Sequence, residues 1–451
     1  MSRFPRLAVG TIQPGVDATA IIWALMDSLE TMGLRVQSFL SRACFVSKDG
    51  ATAITGLSPR HLDSWLMSED LCRELFLRGT AASDFALVEG RFAAAVELAD
   101  AQGGDLETLC RWLNLPRLAI VDASLVSDCH VPPRPDQVDG LLLDRVADST
   151  QLIRLQTMFE SLWGVPVLGS LGMIGDLRRE IKNLAPGAKP ARELCAQVRD
   201  QFAQRAQLDR IHRLACSRDL LDSRPAECVR PEGPALQVAV AYDEVFHCYF
   251  PDMLDLLELK GATVRDFSPL RDERLPPNTD IVYFGCGHPE RYARELVENH
   301  CMMLALKDHL CNGLRLYAEC GGLAYLCQRL EMPDGESLPM SGVLPAVARR
   351  NPYPEPPRAR EITLSADTWL GPAGSRLRGY LTSHWSLEAA GPLTCFAKEP
   401  PDEPALVGRH QAIGSRLYLN FAAQPSILSS FFRPHAPAID PTAPVARSTD
   451  G

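Results

Sequence analysis

Short apolar runs alternate with longer amphipathic stretches along most of this chain, and this pattern constrains the fold more than any other feature. In the first half the runs cover residues 6–12, 34–40, 85–90, 117–123, 140–146 and 166–172. Runs of this length separated by helical stretches are typical of strands and helices that alternate. The pattern predicts an α/β domain with a parallel sheet and helices on both faces.

The alternation stops at a segment rich in Pro, Gly and charge, residues 223–235, and then starts again. The later runs cover residues 236–243, 262–270, 280–287 and 314–322, and short strands and turns dominate 331–433. A chain of 451 residues fits two or three domains. We predict one domain over 1–222, a linker over 223–235, a second domain over 236–433 and a disordered Pro/Ala-rich tail over 434–451.

Composition excludes several classes of protein. The net charge is −10 without a basic stripe, which argues against a nucleic-acid partner, and no apolar run is long enough for a membrane span. The N-terminal MSRFPRLAVG lacks the apolar stretch of a signal peptide, so we expect a cytoplasmic protein. The 14 cysteines lack zinc-site spacing and are expected to be reduced, mostly buried thiols.

The strongest chemical motif is LRLYAECGGLAYL, residues 314–326. A strand is expected to end at Cys320, two glycines allow a tight turn, and a helix follows. This strand–turn–helix arrangement exposes a nucleophile, and N–H groups at a helix start can stabilise a thiolate or an oxyanion. An isolated buried Cys beside a turn is the structural alternative, but the context favours Cys320 as a nucleophile.

A second motif, FGCGHPE over 284–290, also follows a strand. Backbone N–H groups of Gly285 and Gly287, together with that of Gly321, are candidates for an oxyanion or glutamine-binding site. An ordinary glycine turn explains the same residues equally well.

These segments resemble the cobyrinate a,c-diamide synthase family. The second half carries the resemblance in VAVAYDEVFHCYFPDMLDLLELKGA, FSPLRDERLP, GCGHPE, YAECGGLAYL and SGVLPA, and the first half in GLRVQSFL, HLDSWLM, LVEG, VDAS, LLLDRV and VPVLGSLG. The resemblance covers about residues 5–432. It implies a P-loop, dethiobiotin-synthetase-like domain followed by a class I glutamine amidotransferase-like, flavodoxin-like domain.

The resemblance also implies a reaction. In the family, ATP and Mg²⁺ activate corrin (tetrapyrrole) side-chain carboxylates as acyl phosphates. A Cys attacks glutamine, forms a thioester and releases the ammonia that makes the amide. Cys320 stands at the position of that nucleophile.

The nucleotide motif departs from the family. The family loop is approximately GTxSGxGKTT, whereas this chain has Gly10, Thr11, Gly15 and Thr19 in the matching segment and Asp17 or Ala18 where the lysine belongs. An Asp repels phosphates that a Lys would neutralise. We therefore do not expect ATP and Mg²⁺ to bind in the usual mode.

The acidic residues expected near magnesium and substrate are partly lost. The family's GPDYIDP is matched by residues 42–48, which contain neither of its carboxylates. Asp63 and Glu89 are retained. Either residue is a candidate for the substrate and magnesium region or has a purely structural role.

The glutaminase motif lacks its base. Tyr418 stands where the family has its catalytic His, and Asn420 replaces a neighbouring His. A Tyr of ordinary pKa near 10 is a poor base for a thiol at pH 7. His384 and His410 are candidate replacements, although each is also explained as an ordinary core or surface residue.

Three functions follow as hypotheses. The first is a working amidotransferase with rebuilt sites, and the second is a non-catalytic tetrapyrrole-binding or regulatory relative. The third is a glutaminase or hydrolase that uses Cys320 alone. The lysine, the two carboxylates and the histidine of the family are lost in separate segments, which favours impairment of the family reaction. We expect corrin carboxylate and glutamine as ligands by resemblance, and a homodimer is an additional hypothesis.

Overall fold

The structure is a computed structural model that describes residues 4–46, 48–92, 103–127, 130–219, 235–399 and 403–433. The predicted linker over 223–235, except its last residue, and the predicted tail over 434–451 lie outside the described residues. The chain divides into two compact units, one comprising residues 1–228 and 250–252 and the other residues 229–249 and 253–451. Each unit is built on an α/β sheet, which confirms the predicted two-domain α/β fold class.

The described part of the first unit contains a seven-stranded sheet in which every pairing is parallel, in the order β3-β2-β4-β1-β5-β6-β7. The strands are β1 (Arg6–Thr11), β2 (Val36–Leu40), β3 (Arg60–His61), β4 (Phe85–Arg91), β5 (Arg117–Asp122), β6 (Gly140–Val146) and β7 (Val167–Gly172). Every residue of β1 and β5 is buried, as expected for strands covered on both faces. The six strands predicted in this half are present.

Helices connect these strands: α1 (Thr19–Thr31), α2 (Gly50–Thr55), α3 (Glu69–Thr80), α4 (Leu106–Trp112), α5 (Ser149–Trp163), α6 (Gly175–Asn183), α7 (Arg192–Ala203) and α8 (Leu208–Ala215). Several of them begin at a side-chain cap, in which the oxygen of Asp49, Ser68, Asp105 or Asp148 accepts a backbone N–H of the first turn. Helix α5 ends at Gly164, whose φ of 66° is easily reached without a Cβ.

The second unit is organised around another seven-stranded sheet, in the order β10-β8-β11-β13-β22-β21-β20 among the described residues. Strands β10 to β22 in this order are parallel, and β21 and β20 add antiparallel pairings at one edge. The strands are β8 (Gln237–Ala241), β10 (Thr263–Phe267), β11 (Ile281–Phe284), β13 (Arg315–Glu319), β20 (Thr394–Glu399), β21 (Glu403–Arg409) and β22 (Ala412–Ser415).

Smaller sheets and short helices complete the second half, as the turn-rich sequence predicted. The remaining strands are β9 (Phe246–Cys248), β12 (Cys286–Gly287), β14 (Cys327–Glu331), β15 (Ser337–Pro339), β16 (Leu344–Arg350), β17 (Arg358–Thr363), β18 (Arg376–Leu381), β19 (Trp385–Ala389) and β23 (Leu417–Tyr418). The helices are α9 (Pro251–Leu259), α10 (Ala293–Glu298), α11 (His300–Cys311), α12 (Gly321–Leu326) and α13 (Pro425–Ser430). No helix in the described ranges combines the length and apolar character needed to cross a membrane.

A buried ion-pair network lies at the carboxyl ends of β5 and β6. Asp144 is fully buried and pairs with Arg178 and with Arg145, the latter at 3.3 Å. Arg145 also pairs with Asp122 at 2.8 Å and donates to the backbone oxygen of Asp17 at 2.9 Å. The network therefore ties the loop that follows β1 to the neighbouring strands.

Glycines let the start of α12 approach the loop around β12 closely. A Cβ on Gly321 would lie 2.3 Å from the carbonyl oxygen of Gly287, and a Cβ on Gly322 would lie 2.7 Å from that of Gly285. Neither distance is compatible with a side chain. Glycine is required at these two positions because a side chain would not fit, and not because the backbone has an unusual φ.

We predict that Asp144→Ala lowers the free energy of unfolding by about 3 kcal/mol, because it leaves two guanidinium groups without their buried partner. Asp176→Ala is the control, since the side chains of Asp176 and its partner Arg179 are 93% and 71% exposed. The control should cost less than about 1 kcal/mol. Urea unfolding of both variants checks this, and equal losses would contradict it.

We also predict that Gly321→Ala lowers the free energy of unfolding by about 2 kcal/mol, because the added methyl group must displace the Gly287 backbone. Gly175→Ala is a matched control at the first residue of α6, where a Cβ meets no heavy atom within 4 Å. The control should be neutral or stabilising by up to about 1 kcal/mol. Thermal and urea unfolding measure both, and a Gly321→Ala protein as stable as wild type would refute the steric explanation.

Candidate active site

Cys320 lies at a strained turn between β13 and α12. Its φ of 47° and ψ of −102° are unusual for a residue with a Cβ and cost about 1–3 kcal/mol. Two hydrogen bonds hold this conformation: the Cys320 N–H donates to Ser415 O at 2.8 Å, and the Ala324 N–H donates to Cys320 O at 3.0 Å. The strand–turn–helix predicted from the sequence is present and has the geometry of a nucleophile elbow.

The thiol of Cys320 is 95% buried and contacts few polar groups. It donates to the backbone oxygen of Arg416 at 3.6 Å, and the Thr382 hydroxyl donates to its sulfur at 3.5 Å. The thiol of Cys286 is an electrostatic neighbour of the Cys320 thiol. Within the described ranges no imidazole hydrogen-bonds the sulfur, so its hydrogen-bond partners include no side chain of ordinary basicity at neutral pH.

Among the described residues, none of the predicted replacement residues hydrogen-bonds the thiol of Cys320. Tyr418 lies on β23, is 7% exposed and pairs in register with Tyr380. His384 is half-buried, and its desolvation together with the nearby Arg350 guanidinium lowers its pKa to about 4. His410 has a φ of 54° between β21 and β22. A catalytic role for any of them stays a prediction.

A carboxyl group that the sequence analysis missed lies directly before the nucleophile. Glu319 is fully buried, accepts from the Tyr317 hydroxyl at 2.9 Å and from the Cys286 thiol at 3.7 Å, and desolvation raises its pKa to about 8. A charged residue at the end of the apolar run LRLYAE was the available signal.

The structure distinguishes among the predicted oxyanion donors. The N–H of Gly285 donates to the Tyr249 hydroxyl at 2.9 Å and is therefore already engaged, which corrects its assignment. Gly287 and Gly321 lie in van der Waals contact through the Gly287 carbonyl. These two stay candidates for the oxyanion site.

In the first unit, a carboxylate of the loop between β1 and α1 binds a backbone N–H at the start of α1. Asp17 Oδ1 accepts the N–H of Thr19, the first residue of α1, at 3.0 Å. Burial opposes ionisation, but the Thr19 hydrogen bonds outweigh it and lower the pKa of Asp17 below its ordinary value. Since N–H groups at this position bind phosphate in a nucleotide loop, Asp17 occupies a donor that phosphate would need.

A cavity of about 630 Å³ lies beside this loop, at the carboxyl ends of β1, β2 and β4. Arg42, Lys48 and Arg91 line it, together with Glu89. The Ser38 hydroxyl donates to Glu89 at 2.6 Å, and desolvation raises the pKa of Glu89 to about 7. Thr11, Asp17 and Thr19 also lie on the cavity wall, whereas Gly10 is packed against the Gly90 backbone.

The residues present do not fit magnesium-bound ATP in the family's mode. Asp63 is fully buried and accepts the N–H groups of Ala43, Trp65 and Leu66, which favours the structural alternative over a place in the magnesium region. The described residues contain no group of three or more His, Cys, Asp or Glu side chains that could hold a metal ion. The loop has neither the lysine nor a free Thr19 N–H.

Comparison with known proteins places these sites in a family. The model of the CobB/CobQ-like glutamine amidotransferase domain matches residues 237–380, which include Cys320 and the loop around β12. A cobyrinate a,c-diamide synthase from Dehalococcoides mccartyi is 27% identical over 95% of this chain and 98% of its own length. The corresponding protein from Syntrophotalea carbinolica is 28% identical over 95% and 98%.

A cobyrinate a,c-diamide synthase from Synechocystis sp. is 32% identical over 73% of this chain and 72% of its own length. At that identity and coverage, the agreement extends well beyond the glutaminase segment. This chain therefore belongs to the cobyrinate a,c-diamide synthase family.

Proposed function

We propose that this chain is a family member that binds a carboxylated corrin and has lost glutamine-dependent amidation. The observation that carries the proposal is the surroundings of Cys320 Sγ, which consist of a backbone carbonyl, a threonine hydroxyl and a second thiol. The relatives are named for making a diamide of cobyrinate, and we take the class of ligand from them. A cytoplasmic location and a homodimer stay predictions.

The glutaminase step needs a proton acceptor for the attacking thiol. A Cys nucleophile is activated by an adjacent base, which then protonates the leaving ammonia. The Cys320 thiol donates to a carbonyl oxygen instead, and a carbonyl cannot take up the proton. This supports a thiol that is correctly positioned on its elbow but not activated.

The activation step needs a phosphate donor. ATP would supply the phosphoryl group that converts a carboxylate into an acyl phosphate. The carboxylate of Asp17, which accepts the N–H of Thr19 at the start of α1, opposes a bound triphosphate. We derive no phosphoryl transfer through this site.

The cavity beside the loop supports binding of an acidic ligand. Arg42, Lys48 and Arg91 place three cationic side chains on its wall, and Arg42 is oriented by donating to Gly104 O at 3.1 Å. Guanidinium and ammonium groups recognise carboxylates through charge-assisted hydrogen bonds. A corrin presents several such carboxylates.

A glutaminase or hydrolase that uses Cys320 alone is the second candidate. The strained backbone of Cys320 favours it, because such strain persists where a nucleophile has to be exposed to substrate. This candidate does not depend on the nucleotide loop. Its requirement is a base, which Glu319 or a histidine would have to provide.

We predict that glutamate release from glutamine is the same for wild type and Cys320→Ser, with or without ATP, Mg²⁺ and cobyrinic acid. It should lie at least about 10³-fold below that of an active family member run in parallel, because the imidazole is missing. Tyr418→His should restore release that depends on Cys320, and Cys320→Ser/Tyr418→His should abolish it again. The assay is enzymatic glutamate detection.

Two results would contradict this proposal. Cys320-dependent release without ATP would establish the hydrolase candidate instead. Release that requires ATP and cobyrinic acid, accompanied by amide formation detected by mass spectrometry, would establish a working amidotransferase.

We further predict that cobyrinic acid binds more tightly at pH 6 than at pH 8, by about three- to ten-fold. Above its pKa of about 7 Glu89 becomes a carboxylate and repels the ligand, whose carboxylates are ionised throughout this range. Absorbance titration of the corrin measures the affinity. Glu89→Gln should flatten this pH dependence, whereas Glu107→Gln, a change outside the cavity wall, should leave it intact. No saturable binding at either pH would refute the binding proposal.

A further inference from the structure

Two thiols meet at the nucleophile elbow. Cys286 lies on β12 and is 4% exposed, and its thiol is an electrostatic neighbour of the thiol of Cys320, which is 5% exposed. From this proximity and the backbone contacts around it we infer that Cys320 is a site of reversible oxidation and that Cys286 resolves it as an intramolecular disulfide. The inference does not depend on whether the chain hydrolyses glutamine.

The backbone geometry keeps the two residues together. The carbonyl oxygen of Gly285 lies against Gly322, and that of Gly287 lies against Gly321, so Cys286 is bracketed by two close contacts with the start of α12. The N–H of Gly285 is fixed by the Tyr249 hydroxyl, and the His288 N–H donates to Val245 O at 2.9 Å. Disulfide formation requires neighbouring Cα atoms of this kind, because a bridge spans only a short Cα–Cα distance.

The oxidant is a hydroperoxide, which is small enough to reach a thiol with limited exposure. The Cys320 sulfur attacks one peroxide oxygen, the O–O bond breaks, and Cys320 becomes a sulfenic acid while water or an alcohol leaves. The Cys286 sulfur then attacks the Cys320 sulfur, an S–S bond replaces the S–O bond, and the hydroxide leaves as water. Both electrons come from the thiols, and the peroxide is reduced.

Glu319 provides the proton acceptor for the second step. Burial raises the pKa of the Cys286 thiol well above its ordinary value, so the thiol needs a base before it attacks. The Cys286 thiol already donates to Glu319 Oε2 at 3.7 Å. The ionised form of Glu319 is the base, and because burial raises its pKa to about 8 this form binds a proton more strongly than an exposed carboxylate does. Glu319 then passes this proton to the departing hydroxide, which leaves as water.

Other thiols provide internal comparisons. Cys248 is the strand partner of Cys286 in the β9–β12 pairing and is the alternative resolving thiol. Cys327 is fully buried and begins β14 directly after α12, and its thiol donates to Leu323 O at 3.3 Å. The inference requires that Cys286 reacts with Cys320 and that Cys327 takes no part.

The experiment treats the reduced full-length protein with hydrogen peroxide, blocks remaining thiols with iodoacetamide and digests it with trypsin without reductant. Mass spectrometry should detect the peptide 275–291, which contains Cys286, linked to the peptide 316–329, which contains Cys320 and Cys327. The link should disappear with dithiothreitol. Cys327→Ser leaves Cys320 as the only cysteine of the second peptide, so the link must persist in that variant.

Cys286→Ser should abolish this link and lower the reductant-recoverable fraction of Cys320 at least about five-fold at high peroxide, because the sulfenic acid proceeds to the sulfinic acid. Cys286→Ala must give the same result, and unchanged thermal unfolding of at least one of the two variants shows that the fold is retained. Direct conversion of wild-type Cys320 to the sulfinic acid, or linkage of Cys286 to Cys248 with Cys320 unmodified, would overturn the inference.

Discussion

Parallel pairing of the central strands is the constraint on which both candidate sites depend. In a parallel sheet the carboxyl ends of neighbouring strands meet at one edge, and the loops that follow them converge there. The cavity in the first unit lies at the ends of β1, β2 and β4, and Cys320 follows the end of β13, between β11 and β22. The cavity and the Cys320 turn carry different side chains because the loops that form them differ in sequence. Both loops follow the carboxyl ends of parallel strands.

In each loop, a hydrogen-bond donor that the family reaction would use is already paired with an acceptor of this chain. The carboxylate of Asp17 accepts the N–H at the start of α1, where a nucleotide phosphate would bind. The carbonyl oxygen of Arg416 accepts the hydrogen bond of the Cys320 thiol, where a base would take its proton. These contacts stabilise the folded loops without any ligand, and they explain how the frame persists although the residues of the reaction have changed.

The elements predicted from the sequence agree with the structure wherever a local rule determines them. Strands with continuous apolar runs and the strand–turn–helix at Cys320 are present. The open alternatives concern polar atoms. Gly285 was a candidate for an oxyanion site or an ordinary turn, and its N–H is bound by Tyr249 from 36 residues away. Asp63 was a candidate for the magnesium region or a structural role, and it binds backbone N–H groups. Glu319 and Cys286 were overlooked because their importance depends on contacts across segments.

By itself, the sequence determined the α/β fold class, the family and the position of the nucleophile, because these depend on periodicity and on residues that lie close together in the chain. Only the tertiary structure decided which donors and acceptors are already paired. The pairs Thr382–Cys320, Glu319–Cys286 and Arg145–Asp17 join residues from different segments. A hydrogen bond acts over about 3–4 Å, and no pattern in one segment states which partner another segment brings within that distance.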